Sequence, residues 1–88
     1  MSDAAIAVDL HYFAAAADAA GRTEERLERP AGTTLTELRA VLAARGTDLA
    51  RVVAVSSYLV NAVAAPSEAL VVLGDGDRVD VLPPFAGG

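Results

Sequence analysis

Cysteine and lysine are both absent from the sequence. Without cysteine the chain has no disulfide, no thiolate metal ligand and no thiol nucleophile. Without lysine it offers no side-chain amine, either as a Schiff-base nucleophile or as an isopeptide acceptor. Long apolar runs are missing too. Hydrophobic types make up 53% of the 88 residues, but Asp9, Asp18 and Glu24 break the early stretch well short of the roughly 18 apolar residues that span a bilayer. No basic residue precedes Arg22, which argues against a secretory signal or a transit peptide and leads to the expectation of a cytoplasmic protein. Positive charge is scarce: seven cations, all arginine, against twelve carboxylates give a formal charge of −5. That balance argues against a binder of phosphate backbones and favours a basic partner.

What remains is enough for one small domain with a thin core of Val, Leu and Ile and four aromatics. Ile6, Val8, Leu10 and Tyr12 alternate with Ala7, Asp9, His11 and Phe13, predicting a strand over residues 5–13 with one buried face. Residues 14–20 are alanine-rich and close at Gly21, a short helix with a glycine stop. Residues 23–29 alternate again and end at Pro30, a hairpin-like partner for the first strand. Thr34 and Glu37 form a capping box, after which Leu35, Leu38, Val41 and Leu42 share one helical stripe up to Gly46. The Val52–Val55 run and the Tyr58–Val60 run, ending at Asn61, read as a central strand. Leu70–Leu73 is a short strand-like piece, Gly74-Asp75-Gly76-Asp77 a turn, and Val79 and Val81 mark the last strand. This order predicts an α+β domain over residues 1–82, a β-grasp with a mixed sheet covered by one main helix.

Residues 83–88 read Pro-Pro-Phe-Ala-Gly-Gly and form an expected flexible tail. Pro83 and Pro84 fix φ and hold the exit extended, while Gly87 and Gly88 present a carboxylate with no side chain beside it. Six residues from Pro83 reach at most about 20 Å, enough to thread into another protein's active site. A free α-carboxylate is an anion at neutral pH and a poor electrophile. It needs activation by a partner, for which adenylation supplies a leaving group, and exchange of that group for sulfur gives a thiocarboxylate. Any β-carbon at positions 87 or 88 would crowd a narrow channel and the approach to the carbonyl.

Elsewhere the signals are weak. Asp75, Asp77 and Asp80 alternate like hard-cation ligands but lack a complete loop with its closing glutamate, and are expected to be a solvated turn, with no metal bound. His11 has no second ligand or base partner and is expected to be an exposed strand residue. Ser56 and Ser57 have no identifiable base. Nothing makes the isolated chain an enzyme in its own right.

Tyr12-Phe13-Ala14 before an alanine-rich helix, Thr34-Leu35 with Leu38, Gly76-Asp77 with Val79, and the Pro83-to-Gly88 ending together resemble the small subunits of molybdopterin synthase. These belong to the wider set of ubiquitin-like sulfur carriers that includes the thiamin carriers. The resemblance implies a β-grasp fold and adenylation of Gly88 by an E1-like activating enzyme that uses ATP and magnesium, with no cofactor held by the chain itself. It also implies thiocarboxylation from a sulfur donor, with Gly87 as the required neighbour. The tail then enters the large synthase subunit, in an expected heterotetramer, and donates sulfur to a pyranopterin precursor. Phe13, Leu59 and Leu82 correspond by position to an apolar partner-contact patch, with Pro83, Pro84, Phe85 and Ala86 of the tail also meeting partner. For Leu59 a place in the core is an equal alternative. The chain departs from its relatives at Ala15, Ala16 and Ala17, where an arginine is common, and at Ser56, where a third-strand asparagine is common. Other sulfur-accepting pathways (thiamin, cysteine, secondary metabolites), conjugation to protein lysines and a plain binding module are the alternatives.

Overall fold

Alternation shapes the first strand: Ile6, Val8, Leu10 and Tyr12 are buried along β1 (Ala5–Tyr12), and the residues between them are not. The computed structural model describes residues 4–66 and 69–84. A six-residue helix, α1 (Ala15–Ala20), follows and stops at Gly21, whose φ of 76° lets its N–H bond the Ala17 carbonyl as glycine does at helix ends. β2 (Glu24–Pro30) then returns antiparallel to β1, from His11↔Glu24 to Ala5↔Pro30. α2 (Leu35–Ala43) opens on the expected capping box: the Thr34 hydroxyl accepts from the Glu37 N–H at 3.1 Å, and Glu37 Oε1 accepts from the Thr34 N–H at 2.9 Å. Leu35, Leu38 and Leu42 form its buried stripe.

The next segment corrects the sequence reading. Val52–Val55 is not strand but the end of a second nine-residue helix, α3 (Thr47–Val55). Gly46, read as the end of the preceding helix, is the residue that opens this one. Leu49 and Val53, one helical turn apart, are buried with α2 in the core, so packing overrides the strand preference of three nearby valines. Ser56 caps α3, its hydroxyl donating to the Val52 carbonyl at 2.7 Å, and so lies before the third strand rather than in it.

The strand proper is β3 (Ser57–Val60), joined to β4 (Val63–Ala64) by Asn61 and Ala62, both at positive φ (51° and 69°). Two such residues give the tight turn whose twist suits a hairpin. The expected strand at Leu70–Leu73 is reduced to a single bridge between Val72 and Thr34. β5 (Arg78–Leu82) runs parallel to β1 and antiparallel to β3.

The described residues thus form a five-stranded mixed sheet, ordered β2-β1-β5-β3-β4. This is the expected α+β, β-grasp-like arrangement, though two helices of equal length, with α1 beside them, replace the single main helix. Val8, Leu10, Val79 and Val81 face Leu38 and Leu42 and are completely buried. The opposite face carries Asp9 and His11 from β1 and Phe13 just past its end, Asp80 and Leu82 from β5, and Ser57 and Leu59 from β3.

Candidate functional site

β5 delivers the chain to the tail at one end of this sheet. Phe13 continues the β1–β5 pairing past Tyr12↔Val81, its N–H reaching the Val81 carbonyl at 3.3 Å, which sets it beside Leu82. Leu82 pairs with Ser57 on its other side, and Leu59 pairs with Asp80, so Leu59 lies diagonal to Leu82 within side-chain reach. The structure therefore brings Phe13, Leu59 and Leu82 onto one face, the face away from the helices. Phe13 is 41% exposed, and Leu59 and Leu82 are half-buried. Leu59 is not among the buried core residues. Phe13, Ala14, Leu82 and Pro83 line an apolar concavity of about 440 Å³ at the base of the tail. Pro84 is exposed; Phe85, Ala86, Gly87 and Gly88 lie outside the described residues.

Ala14 was not legible as part of this place. It sits at φ 51°, ψ −124°, a conformation that side chains with a β-carbon rarely take. The strained step turns the chain from β1 into α1 and leaves the Phe13 carbonyl to accept from the Ala16 N–H at 3.0 Å. An alanine between an aromatic and an alanine-rich helix carries no signal of positive φ, so sequence alone gives no warning.

The polar surroundings are held in place. Asp80 is only 8% exposed and accepts from Arg78 Nε at 2.7 Å. It is a strand residue of the open face rather than part of the turn where the sequence reading placed it. Asp75 and Asp77 are acceptors in that turn: Asp75 receives the Ala7 N–H at 2.8 Å, and Asp77 receives the Gly74 N–H and the Asn61 amide at 2.7 and 2.9 Å. His11, expected to be exposed, has a side chain 24% exposed and lies 3.7 Å from Glu24. Among the described residues no three His, Asp or Glu side chains are placed to hold a metal ion.

Behind Phe13, Tyr12 donates to Glu25 at 2.6 Å, and Arg45 clamps the same carboxylate with two nitrogens at 2.6 and 3.2 Å. Burial is the largest influence on the Glu25 carboxyl and would raise it. The hydrogen bonds from Arg45 and Tyr12, with the charges of Arg45 and Arg22, together outweigh burial and hold it below its ordinary value. Burial, then the Glu25 carboxylate, push the Tyr12 phenol well above its usual range. The cluster ties β1, β2 and the end of α2 together beneath the tail exit.

The model of the ThiS family matches residues 10–88, from the middle of β1 to the last glycine. The chain belongs to the ThiS family. Several solved structures share the fold of this ThiS-family chain. The HVO 2177 protein of Haloferax volcanii superposes with a TM-score of 0.81 at 25% identity, covering 96% of this chain and 88% of that one. A chain from the complex of subunits 1 and 2 of molybdopterin-converting factor from Helicobacter pylori 26695 gives 0.64 at 28% identity, over 94% and 100%. Small archaeal modifier protein 1 (SAMP1) of Haloferax volcanii gives 0.72 at 23% identity, over 93% and 99%, a likeness of fold alone.

Proposed function

We propose that the chain is a sulfur carrier whose Gly88 carboxylate is the working group. The observation that supports this most is the family match running unbroken through Gly87 and Gly88. An activating partner transfers AMP from ATP to the carboxylate and releases pyrophosphate. Sulfide then displaces AMP and leaves a thiocarboxylate, whose sulfur is the nucleophile; a persulfide donor gives an acyl disulfide first, which a donor thiol reduces to the thiocarboxylate while itself becoming a disulfide. Attack on an electrophilic carbon of the acceptor displaces an oxygen leaving group, which departs with the bonding electron pair, and forms a thioester between Gly88 and the acceptor. Water then cleaves the acyl–sulfur bond, leaving a thiol on the acceptor and the carboxylate restored.

In this reading the chain's own residues position rather than catalyse. Phe13, Leu59 and Leu82 dock a partner, Pro83 and Pro84 aim the tail, Phe85 and Ala86 line its passage, and the two glycines let the tip enter. The partners are an E1-like enzyme using ATP and magnesium, a sulfur donor and the large subunit of molybdopterin synthase. As acceptor we assign a cyclic pyranopterin precursor, supported by the 28% identity to the molybdopterin-converting-factor chain that was solved in complex. A second reading, conjugation of Gly88 to lysines of other proteins, draws on the shared fold of the archaeal modifier.

Thiocarboxylated chain mixed with the large subunit and the precursor should lose its sulfur as the pterin gains it, and Gly88→Ala should fold normally yet transfer at least about 100-fold more slowly. Transfer at the normal rate by Gly88→Ala would contradict the role given to the bare tip. High-mass adducts on lysine-bearing proteins, with no sulfur reaching the pterin, would favour the second reading.

A further inference from the structure

At the far edge of the sheet β2 has one neighbour, β1. The Tyr12 N–H bonds the Thr23 carbonyl, and the Ala31 N–H bonds the Ala4 carbonyl. Alternation along an antiparallel pair then turns the backbone of Glu25, Leu27 and Arg29 toward β1. The N–H and C=O groups of Glu24, Arg26 and Glu28 point outward, and among the described residues none of them has a backbone partner. Pro30, which has no N–H to offer, ends the strand, as suits an edge.

The order of charges along this edge is antisymmetric about Leu27: Arg26 and Glu28 flank it on one face, Glu25 and Arg29 on the other. A second copy laid antiparallel, with a two-fold axis through Leu27, sets Arg26 opposite Glu28, Glu25 opposite Arg29 and Leu27 opposite itself. The outward groups of Arg26 and Glu28 then meet as hydrogen-bonded pairs. The two leucines meet in a non-hydrogen-bonded pair, where side chains approach most closely. Sliding the copy to the next registers that keep the ladder sets Arg26 opposite Arg26 and Glu24 opposite Glu28, or Glu28 opposite Glu28. An odd shift loses the ladder altogether. Glu25 keeps its bonds to Tyr12 and Arg45, so toward Arg29 of the second copy it acts through its charge, and the hydrogen-bonded pairs of Arg26 with Glu28 carry the recognition.

We propose that β2 is a self-recognition edge through which two copies of this chain form a reversible dimer with a continuous sheet. Its occupant is a second copy because the charge order is complementary to itself. The register centred on Leu27 sets no like charges opposite one another, whereas centring on Glu25 pairs Arg26 with Glu24 but sets Glu25 opposite itself. One seven-residue edge buries little area, so the dimer is weak and concentration-dependent. The two-fold axis stands perpendicular to the sheet, so both open faces lie on the same side and the two tail exits point in opposite directions. Phe13, Leu59 and Leu82, on other strands, stay uncovered. The inference stands independently of the chemistry assigned to Gly88.

Sedimentation of the full chain from micromolar to millimolar concentration should move from one chain mass to two. Amide exchange at Arg26 and Glu28 should slow over the same range, while Glu25 and Leu27, bonded to β1, stay protected throughout and report that the fold is intact. Glu28→Arg and Arg26→Glu should each weaken association about tenfold or more, since each turns two attractive cross-strand pairs repulsive. An equimolar mixture of the two variants should associate again, because each then meets its complement. One chain mass up to millimolar concentration, or association that neither variant weakens, would overturn the proposal. So would a mixture that stays as weak as its components.

Discussion

Tyr12 occupies a turning point between core and site: its ring is buried on the helix side, its hydroxyl meets Glu25, and its chain neighbour Phe13 faces the other way. Removing the hydroxyl leaves a charged, mostly enclosed acceptor with one donor fewer, so Tyr12→Phe should cost about 1–2 kcal/mol at neutral pH. Urea unfolding measures this directly. The Glu25 carboxyl is depressed in the folded state, so its contribution to stability is complete above its ordinary value of 4.5 and disappears as the pH falls through the lower folded value. The penalty of Tyr12→Phe should therefore shrink when unfolding is repeated at a pH low enough to protonate the folded carboxylate, because the hydroxyl then no longer serves an anion. An equal penalty at both pH values would show that Tyr12 acts through packing alone.

Among elements, α2 has the clearest written start, and its cap gives a measurable share of stability. Thr34→Ala removes the hydroxyl that receives the Glu37 N–H and should cost about 1 kcal/mol in thermal or urea unfolding. The bridge to Val72 and the bond from the Leu35 N–H to the Val71 carbonyl are made by the backbone, and should survive the change. Legibility follows the same physics. β1 could be read because strict alternation has no helical counterpart, and α2 because its cap and stripe agree. α3 could not: Val52, Val53 and Val55 favour strands by themselves, and the burial of Leu49 and Val53 that decides for helix depends on where α2 packs. β4 was equally hidden, since two residues carry no pattern and Asn61-Ala62 lacks the glycine that usually marks such a turn. In the site, the shared face of Phe13, Leu59 and Leu82 follows from strand period once the registers are known. The resemblance names all three together, but strand period alone does not place Leu59 relative to Phe13 and Leu82, because the order of β1, β5 and β3 is a matter of topology.

At the scale of the whole molecule, the sheet acts as a mount. Its helix side supplies the core, its open side gathers an apolar patch at one end, and β5 leads straight from that patch into Pro83 and Pro84. No helix among the described residues is long and apolar enough to cross a membrane. The absence of lysine and cysteine from the full sequence leaves no side-chain amine or thiol on the chain to capture an activated Gly88. If this end carries sulfur, the intact mass of the protein will show it. The protein is weighed before and after incubation with ATP, magnesium, its activating enzyme and a sulfur donor. The expected result is a gain of about 16 Da, one carboxylate oxygen replaced by sulfur, confined to the C-terminal fragment and absent without ATP. An unchanged mass, under conditions that load an established carrier to completion, would contradict it.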